Sequence, residues 1–308
     1  MRITYGAMSS SGLKTINFQN MTNDNKEQEL SDSTDTAIAY STCYVQCGDN
    51  LELLKSQPNE SVNMIYCDIL YGTGRNFGDY QDLKPIRSEI ENHYLPRLIE
   101  MKRVLKPNGS IYLQMDCKIN HWMRCMLDDV FGYDNFQNEI IWHYKNSALK
   151  AKSKKFRQNT DTILYYVKEK GKHIWNDVFE KCEPYKNSKH KFNPITKKAE
   201  RVKNEQGKIE YFMVDERKCD NLIQINALNS NEQVGYATQK PKELISRFVL
   251  ASTNEGDVVA DYYLGSGTTA KVCQELKRNF IGCDLNPKAI EITKARLNGG
   301  QRLCYGAS

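Results

Sequence analysis

Val258-Val259-Ala260-Asp261-Tyr262-Tyr263-Leu264-Gly265-Ser266-Gly267-Thr268-Thr269-Ala270, followed by Phe280-Ile281-Gly282-Cys283-Asp284, is the stretch that decides the fold. An apolar run ends in a Gly-x-Gly-x-x-Ala turn. Ala270, Cys273 and Leu276 then share the spacing of one buried helical face, and a second apolar run ends in an acid. Glycines let the backbone turn sharply and come close to a ligand. Asp284 falls where a carboxylate accepts hydrogen bonds from a ribose diol. The same turn without a ligand would be an ordinary strand-to-helix connection, but the flanking strands and the placed acid favour a ligand. Beyond Asp284 only one helix is predicted, Pro287 to Leu297. A doubly wound sheet needs several more strands beside such a unit. They must come from earlier in the chain, so the cofactor half of the fold lies last.

Composition narrows the class. A chain of 308 residues is long enough for one large or two modest domains. It has no apolar run of membrane-spanning length and no signal-peptide pattern. Ten cysteines are scattered without Cys-x-x-Cys or zinc spacing, which predicts free thiols, no metal and a cytoplasmic location. Charge is uneven. Residues 141–220 hold 20 Lys and Arg against 11 Asp and Glu, a net of +9, which leaves −4 for the rest of a chain whose total is +5. Such a concentration fits a polyanion partner, or alternatively a solvated lysine-rich insertion.

Taken in order, residues 1–43 are polar and predict a mobile extension. Strands are predicted near Tyr44–Cys47, Val62–Cys67, Ser110–Met115, Glu139–Tyr144 and Thr162–Val167, which with the two late runs makes seven. Helical patterns fall at Asn50–Lys55, His93–Lys106 (stopped by Pro107-Asn108-Gly109) and Ile119–Val130. The alternation predicts an α/β fold, a doubly wound and mainly parallel sheet covered on both faces. Asp68-Ile69-Leu70-Tyr71-Gly72-Thr73-Gly74 passes from a strand end into a glycine loop, the usual address for chemistry in such sheets. Residues 169–231 break the rhythm. They are Lys- and Asn-rich, with Trp175, Phe179, Tyr185, Phe192, Tyr211 and Phe212 interleaved. These aromatics serve either a small core or nucleic-acid contacts beside the basic residues.

In this order the pieces resemble the β-group amino DNA methyltransferases, which use S-adenosylmethionine to methylate adenine N6 or cytosine N4. Asp68-Ile69-Leu70-Tyr71-Gly72-Thr73-Gly74 stands where the family has Asp-Pro-Pro-Tyr-Asn-Thr-Gly. Asp261-x-Tyr263-x-Gly265-Ser266-Gly267-Thr268-Thr269 resembles its Asp-x-Phe-x-Gly-Ser-Gly-Thr-Thr. Gly48-Asp49-x-Leu51-Glu52-Leu53-Leu54, Thr238-Gln239-Lys240-Pro241, Arg103 to Gly109 and Asn138 to Trp142 also fit. The resemblance covers roughly residues 44–168 and 232–297. It implies a seven-stranded, Rossmann-like sheet in permuted order: a catalytic half over 44–168, a target-recognition region over 169–231 and a cofactor half over 232–308.

The resemblance further implies S-adenosylmethionine along Tyr263, Gly265, Ser266, Gly267 and Thr268, bordered by Asp68. Asp261 would meet its amino group, Asp284 its ribose, Asp49 its adenine and Lys240 its carboxylate. Asp68, the main-chain carbonyl at Ile69, Leu70 and Tyr71 would form the catalytic loop around a flipped-out base. Double-stranded DNA is the implied partner, reached by the basic insertion and by Lys150, Lys152, Lys154, Lys155 and Arg157. Ile69 and Leu70 replace both family prolines, which removes stiffness and adds two backbone N–H groups. Asp at position 68 favours adenine over cytosine N4, where the family usually has Ser. An RNA base as target, a non-catalytic DNA binder and an NAD-dependent dehydrogenase are the other readings. A homodimer and a restriction partner are left open.

Overall fold

The computed structural model describes residues 43–76, 81–144, 154, 156–226, 232–236 and 238–298. The extension expected over 1–43 therefore lies outside the described residues but for Cys43. In chain order the elements are β1 (Cys43–Cys47), α1 (Asn50–Ser56), β2 (Val62–Asp68), α2 (Arg87–Val104), β3 (Leu105–Met115), α3 (Asn120–Phe131), β4 (Phe136–His143) and β5 (Thr160–Val167). Then come β6 (Phe179–Ser188), β7 (His190–Asn193), β8 (Lys198–Arg201), β9 (Tyr211–Lys218) and β10 (Leu222–Gln224). The chain closes with α4 (Lys242–Ser252), β11 (Val258–Asp261), α5 (Thr268–Glu275), β12 (Asn279–Asp284) and α6 (Pro287–Leu297).

The main sheet runs β1-β12-β11-β2-β3-β5-β4-β10. Pairing is parallel except where β5 lies antiparallel between β3 and β4. All seven expected strands are present. The eighth, β10, adds three residues beside β4 from within the 169–231 stretch. Both faces are apolar because alternate residues of each strand feed different helix layers. Ile65, Cys67, Ile111 and Leu113 meet Leu54 of α1, Leu98 of α2 and Met123 of α3. Met64, Tyr66, Tyr112 and Tyr165 meet Phe248 of α4, Val272 of α5 and Ile290 of α6. Tyr112 stacks on Tyr165 at 4.3 Å and on Phe248 at 4.8 Å, tying α4 to the sheet.

Two boundaries differ from the pattern in the sequence. α2 begins at Arg87 and runs through Pro96, whose ring sits on the exposed side. Pro107-Asn108-Gly109 lies inside β3, where the register against β2 jumps, rather than in a separate turn. α4 begins directly after Pro241 with no side-chain cap, so it lacks the start signal that sequence reading relies on.

The permuted order places the ends of β2, β11 and β12 side by side, with the glycine turn bridging β11 to α5. Gly267 caps α5 with φ 71°, in the left-handed region. A Cβ there would lie 2.3 Å from Thr293 Oγ1 and 2.8 Å from Thr293 Cβ on α6. Both effects penalise any side chain. Gly267→Ala is expected to destabilise the fold by about 3 kcal/mol, the sum of a left-handed alanine and an overpacked contact. Urea unfolding with an unchanged midpoint would show that α6 yields freely at this point.

Candidate active site

A cavity of about 710 Å³ opens outside the carboxyl ends of β2, β11 and β12. One wall is the glycine turn. Gly265 adopts φ 51°, and a Cβ there would press on the Tyr236 ring at 3.4 Å. The Asp284 carboxylate, at the end of β12, fixes this turn: Gly265 N–H donates to one oxygen at 2.8 Å and Asn286 N–H to the other at 2.9 Å. Burial raises the Asp284 carboxyl above its ordinary range, and the two backbone donors work against that rise. Ser266 and Thr268 line the same wall, with their hydroxyls 3.1 Å apart, and Thr268 also donates to the Lys240 carbonyl at 3.2 Å.

Asp261 ends β11 and is almost fully buried. It accepts from Tyr263 N–H at 3.0 Å and from the Thr269 hydroxyl at 2.6 Å. Burial pushes its carboxyl up to about 7. Those two donors lower it, while the carboxylates of Asp68 and Asp284 raise it further. No Lys or Arg pairs with Asp261 or Asp284 among the described residues. Tyr263 reaches across the cavity to His93, its hydroxyl 3.0 Å from Nε2. Burial, then the nearby Arg97 charge, lowers His93 to about 4, so the ring is neutral at physiological pH.

The facing wall is the loop after β2. Asp68 ends that strand, half-buried, opposite Gln114 of β3 in the ladder. Tyr71 Oη donates to Asp68 Oδ1 at 2.8 Å, and Lys240 Nζ donates to Oδ2. Burial raises the Asp68 carboxyl, the Lys240 ammonium opposes this most strongly, and the Asp161 charge adds to the rise. Lys240, expected to meet a cofactor carboxylate, here holds Asp68 and lies 5.4 Å over the Tyr71 ring.

The two residues that replace proline are built into hydrogen bonds. Ile69 N–H donates to the Gln114 carbonyl at 3.1 Å, extending the β2–β3 ladder by one step. The Leu70 carbonyl accepts from the Tyr94 hydroxyl at 2.9 Å. The Ile69 carbonyl has no partner among the described residues, and Ile69 borders the cavity. Beyond Tyr71, buried Asp82 takes Gly72 N–H at 3.1 Å and Thr73 N–H at 2.7 Å, which fixes the glycine loop.

Not every expected residue reaches the wall. Asp49 caps α1, accepting from Leu51 N–H at 2.7 Å, and pairs with Arg97 at 2.9 Å; its neighbours Gly48 and Asn50 line the cavity. Gly267 stands behind the turn. Lys150, Lys152 and Lys155 lie outside the described residues. Lys154 and Arg157 are exposed on the connection from β4 to β5, which enters β5 at the cavity end of the sheet.

Sequence reading missed His93, Arg97, Gln114 and Asp161. Gln114 and Asp161 carry a usable signal, being polar residues inside otherwise apolar strands (IYLQM and TDTILYYV). Among the described residues no group of His, Cys, Asp and Glu is arranged to hold a metal ion. No helix among them is long and apolar enough to cross a membrane.

The stretch after β5 forms two ribbons, β6 with β9 and β7 with β8. Glu180 anchors the first, pairing with Arg247 of α4 at 2.7 Å and Arg217 at 2.8 Å. Trp175, Phe179, Tyr185, Phe192, Tyr211 and Phe212 are 44% to 64% exposed. They are surface groups and do not make a small core.

Known proteins resemble this chain in sequence and in fold. The sequence model of the DNA methylase family matches residues 62–295. The Type II methyltransferase M.HpaI of Haemophilus parainfluenzae is 30% identical over 253 residues, covering 82% of this chain and 73% of that protein. The DNA adenine methyltransferase YhdJ of Escherichia coli (strain K12) is 29% identical over 252 residues, 82% of this chain and 81% of its own. Among solved structures, the complex of M1.HpyAVI with SAM matches with a TM-score of 0.55 at 21% identity, over 82% of this chain and 98% of that one. The cytosine-N4-specific PvuII DNA methyltransferase also matches at 0.55, with 18% identity over 84% and 94% of the two chains. With three-quarters of its length inside the family match, and with its acid-to-tyrosine loop facing a glycine turn across one cavity, this chain belongs to the DNA methylase family.

Proposed function

We propose that the protein transfers a methyl group from S-adenosylmethionine to N6 of adenine at a specific site in duplex DNA. The observation that carries this is the placement of Asp68, Ile69 and Tyr71 at the end of β2, across the cavity from the glycine turn after β11. The cavity suits the cofactor. Asp261, buried, and Asp284, partly buried, are carboxylates without a paired cation among the described residues, the counterpart of a ligand with an ammonium, a sulfonium and a ribose diol. Asp261 would hold the amino group, Asp284 the diol, and the close-set backbone of Gly265 would let the ligand approach. When bound, the cofactor supplies a methyl group made electrophilic by positive sulfur.

The chain's own residues do the rest. An exocyclic amino nitrogen is a poor nucleophile because its lone pair is delocalised into the ring. Acceptors aimed at both amino hydrogens draw that pair back to nitrogen, and this role falls in the proposal to Asp68 with the Ile69 carbonyl. The Tyr71 face stacks on a base flipped out of the duplex. Asp68 need not be a strong base, since the amino proton becomes acidic only as the new bond forms. Ile69 and Leu70 do not remove any of these groups, because the carbonyl belongs to the backbone.

DNA is the proposed partner of the ribbons, of Lys154 and Arg157, and of Lys150, Lys152 and Lys155 in the same stretch of sequence. Exposed aromatics between basic residues suit phosphate neutralisation together with base or sugar contact.

Three outcomes test this. Native protein with labelled cofactor and mixed-sequence duplex should yield N6-methyladenine on nucleoside analysis. Asp68→Ala should cut turnover by at least about a hundredfold while leaving cofactor affinity within about twofold. Label in N4-methylcytosine, or none at all, would reject the adenine assignment.

Cofactor affinity should rise between about pH 6 and about pH 7.5, because Asp261 must ionise to meet the ammonium. The sign follows from the raised value of about 7. In the ligand-free fold the buried carboxyl keeps a proton that the unfolded chain has released, so stability is full at low pH and falls as pH rises through 7. Binding of a cation reverses that loss. Calorimetry on Asp261→Asn should show weaker binding and a flat profile over this range; an unchanged slope would assign the titration elsewhere.

DNA affinity should fall steeply with salt, and replacing Tyr185, Tyr211 and Phe212 by Ser should weaken DNA binding about tenfold or more without altering cofactor binding. Equal DNA affinity in that variant would move recognition off the ribbon.

A further inference from the structure

Asp161 is the second residue of β5, paired with Trp142 across the β4–β5 ladder and only 6% exposed. Its Oδ2 accepts from Tyr71 Oη at 2.7 Å and from Gln114 Nε2 at 2.9 Å, and its Oδ1 faces the Tyr144 hydroxyl at 3.4 Å. No Lys or Arg pairs with it among the described residues. The Gln114 oxygen accepts from the buried Tyr66 hydroxyl at 2.7 Å, and turning the amide over would set that oxygen against the Asp161 carboxylate, acceptor against acceptor. The amide nitrogen therefore stays aimed at Asp161, which marks that oxygen as an acceptor.

The Tyr71 hydroxyl thus lies within hydrogen-bond distance of two carboxylates, Asp161 and Asp68. A phenol has one proton and donates it to one of them at a time. If it goes to Asp68, it occupies the oxygen that the target amino group needs, and it weakens the pull of that carboxylate on an amino hydrogen. If it goes to Asp161, Asp68 Oδ1 is free. Burial and both carboxylates raise the Tyr71 hydroxyl well above its ordinary range, so it keeps its proton in either arrangement.

We propose that Asp161 is a positioning residue of the methyl-transfer site: it draws the Tyr71 hydroxyl off Asp68 when the target amino group arrives, and holds the tyrosine ring where the base stacks. The role rests on the methyl-transfer function proposed above. It acts through Tyr71 and Gln114 and touches no reacting atom. The ladder β3-β5-β4 is what allows it, since antiparallel β5 brings its first residues to the same end of the sheet where β2 and β3 finish.

A double-mutant cycle on the full chain separates this role from a structural one. Asp161→Ala, Tyr71→Phe and the pair are compared in kcat for methyl transfer, in cofactor affinity and in urea midpoint. Asp161→Ala is expected to lower kcat by roughly ten- to a hundredfold with cofactor affinity unchanged, the scale of a misplaced reacting group. In the Tyr71→Phe background the same change should cost less than about twofold, because there is no hydroxyl left to place. Asp161→Asn, which keeps an acceptor oxygen, should recover most of the activity. Equal losses in both backgrounds, or no recovery with Asn, overturn the proposal. If Asp161→Ala does not fold, Asp161→Leu takes its place in the cycle. The urea midpoints read the Tyr71–Asp161 bond without any need for activity: strictly additive midpoints overturn it. Native protein that transfers no methyl group would instead reject the proposed function, while the midpoints would still decide the bond.

Discussion

Asp68, Asp261 and Asp284 line one cavity and Asp161 stands behind Tyr71 beside it, and taking these four carboxylates wholly or partly out of water is the constraint on which the site depends. An isolated buried carboxylate costs several kcal/mol unless it is neutralised, paired or richly hydrogen-bonded. The four are met in different ways. Asp284 receives two backbone N–H donors, and Asp68 receives the Lys240 ammonium. Among the described residues Asp161 has only neutral donors, the amide of Gln114 and the hydroxyls of Tyr71 and Tyr144. Asp261 stays partly protonated near neutrality. The doubly wound fold makes this tolerable, since all four stand at one end of the sheet, where the amino ends of α5 and α6 also open and favour negative charge. Apart from Lys240 on Asp68 the set has no paired cation among the described residues, and under the proposed function a cationic ligand supplies positive charge.

The loop Asp68 to Tyr71 shows how a motif can change its residues and keep its groups. Proline holds a main-chain carbonyl by fixing φ and by having no N–H to distract it. Ile69 reaches the same end by using its N–H: the bond to Gln114 continues the parallel ladder past the last residue of β2. Ile69 is also almost fully buried, so packing in the core holds its side chain. Leu70 is held from the other side, through its carbonyl and Tyr94 on α2. A hydrogen bond of this kind is worth about 1 kcal/mol net, comparable to the entropy that a proline removes. Stiffness from ring closure has been exchanged for stiffness from the sheet.

The parts of this structure legible in the sequence are those written in contiguous residues. Seven strands announced themselves as apolar runs, and the glycine turn and the acids at strand ends announced the cavity. Three kinds of feature did not. β10 is three residues long, too short to show a period. α4 follows Pro241, the last residue of the Thr238-Gln239-Lys240-Pro241 motif, without a capping side chain. The partners of the site residues are set by topology: Asp161 meets Tyr71 from 90 residues away and Arg97 meets Asp49 from 48. The exposed aromatics of the ribbons are a fourth case, since a Tyr or Phe in sequence looks the same whether it fills a core or faces a ligand.

The permuted order has a mechanical consequence. Asp68 and Asp261 end neighbouring strands, yet β2 and β11 pair through only Met64 with Val259 and Ile65 with Ala260. The joint is reinforced by side chains that cross it. Asn50 donates to the Tyr262 carbonyl at 2.9 Å, the Tyr262 hydroxyl to Gln57 at 2.6 Å, and Val258 N–H to Asn63 at 3.1 Å. Lys240 adds the one ion pair that spans the two walls of the cavity among the described residues. Each of these joins a residue of the first half to one of the last, so neither half holds its share of the site alone. Asp68 and the glycine turn, which under the proposed function face the target and the cofactor, are brought together by the same short seam that closes the sheet. A ligand lying across that seam binds to both halves at once, and its binding energy adds directly to the stability of the joint.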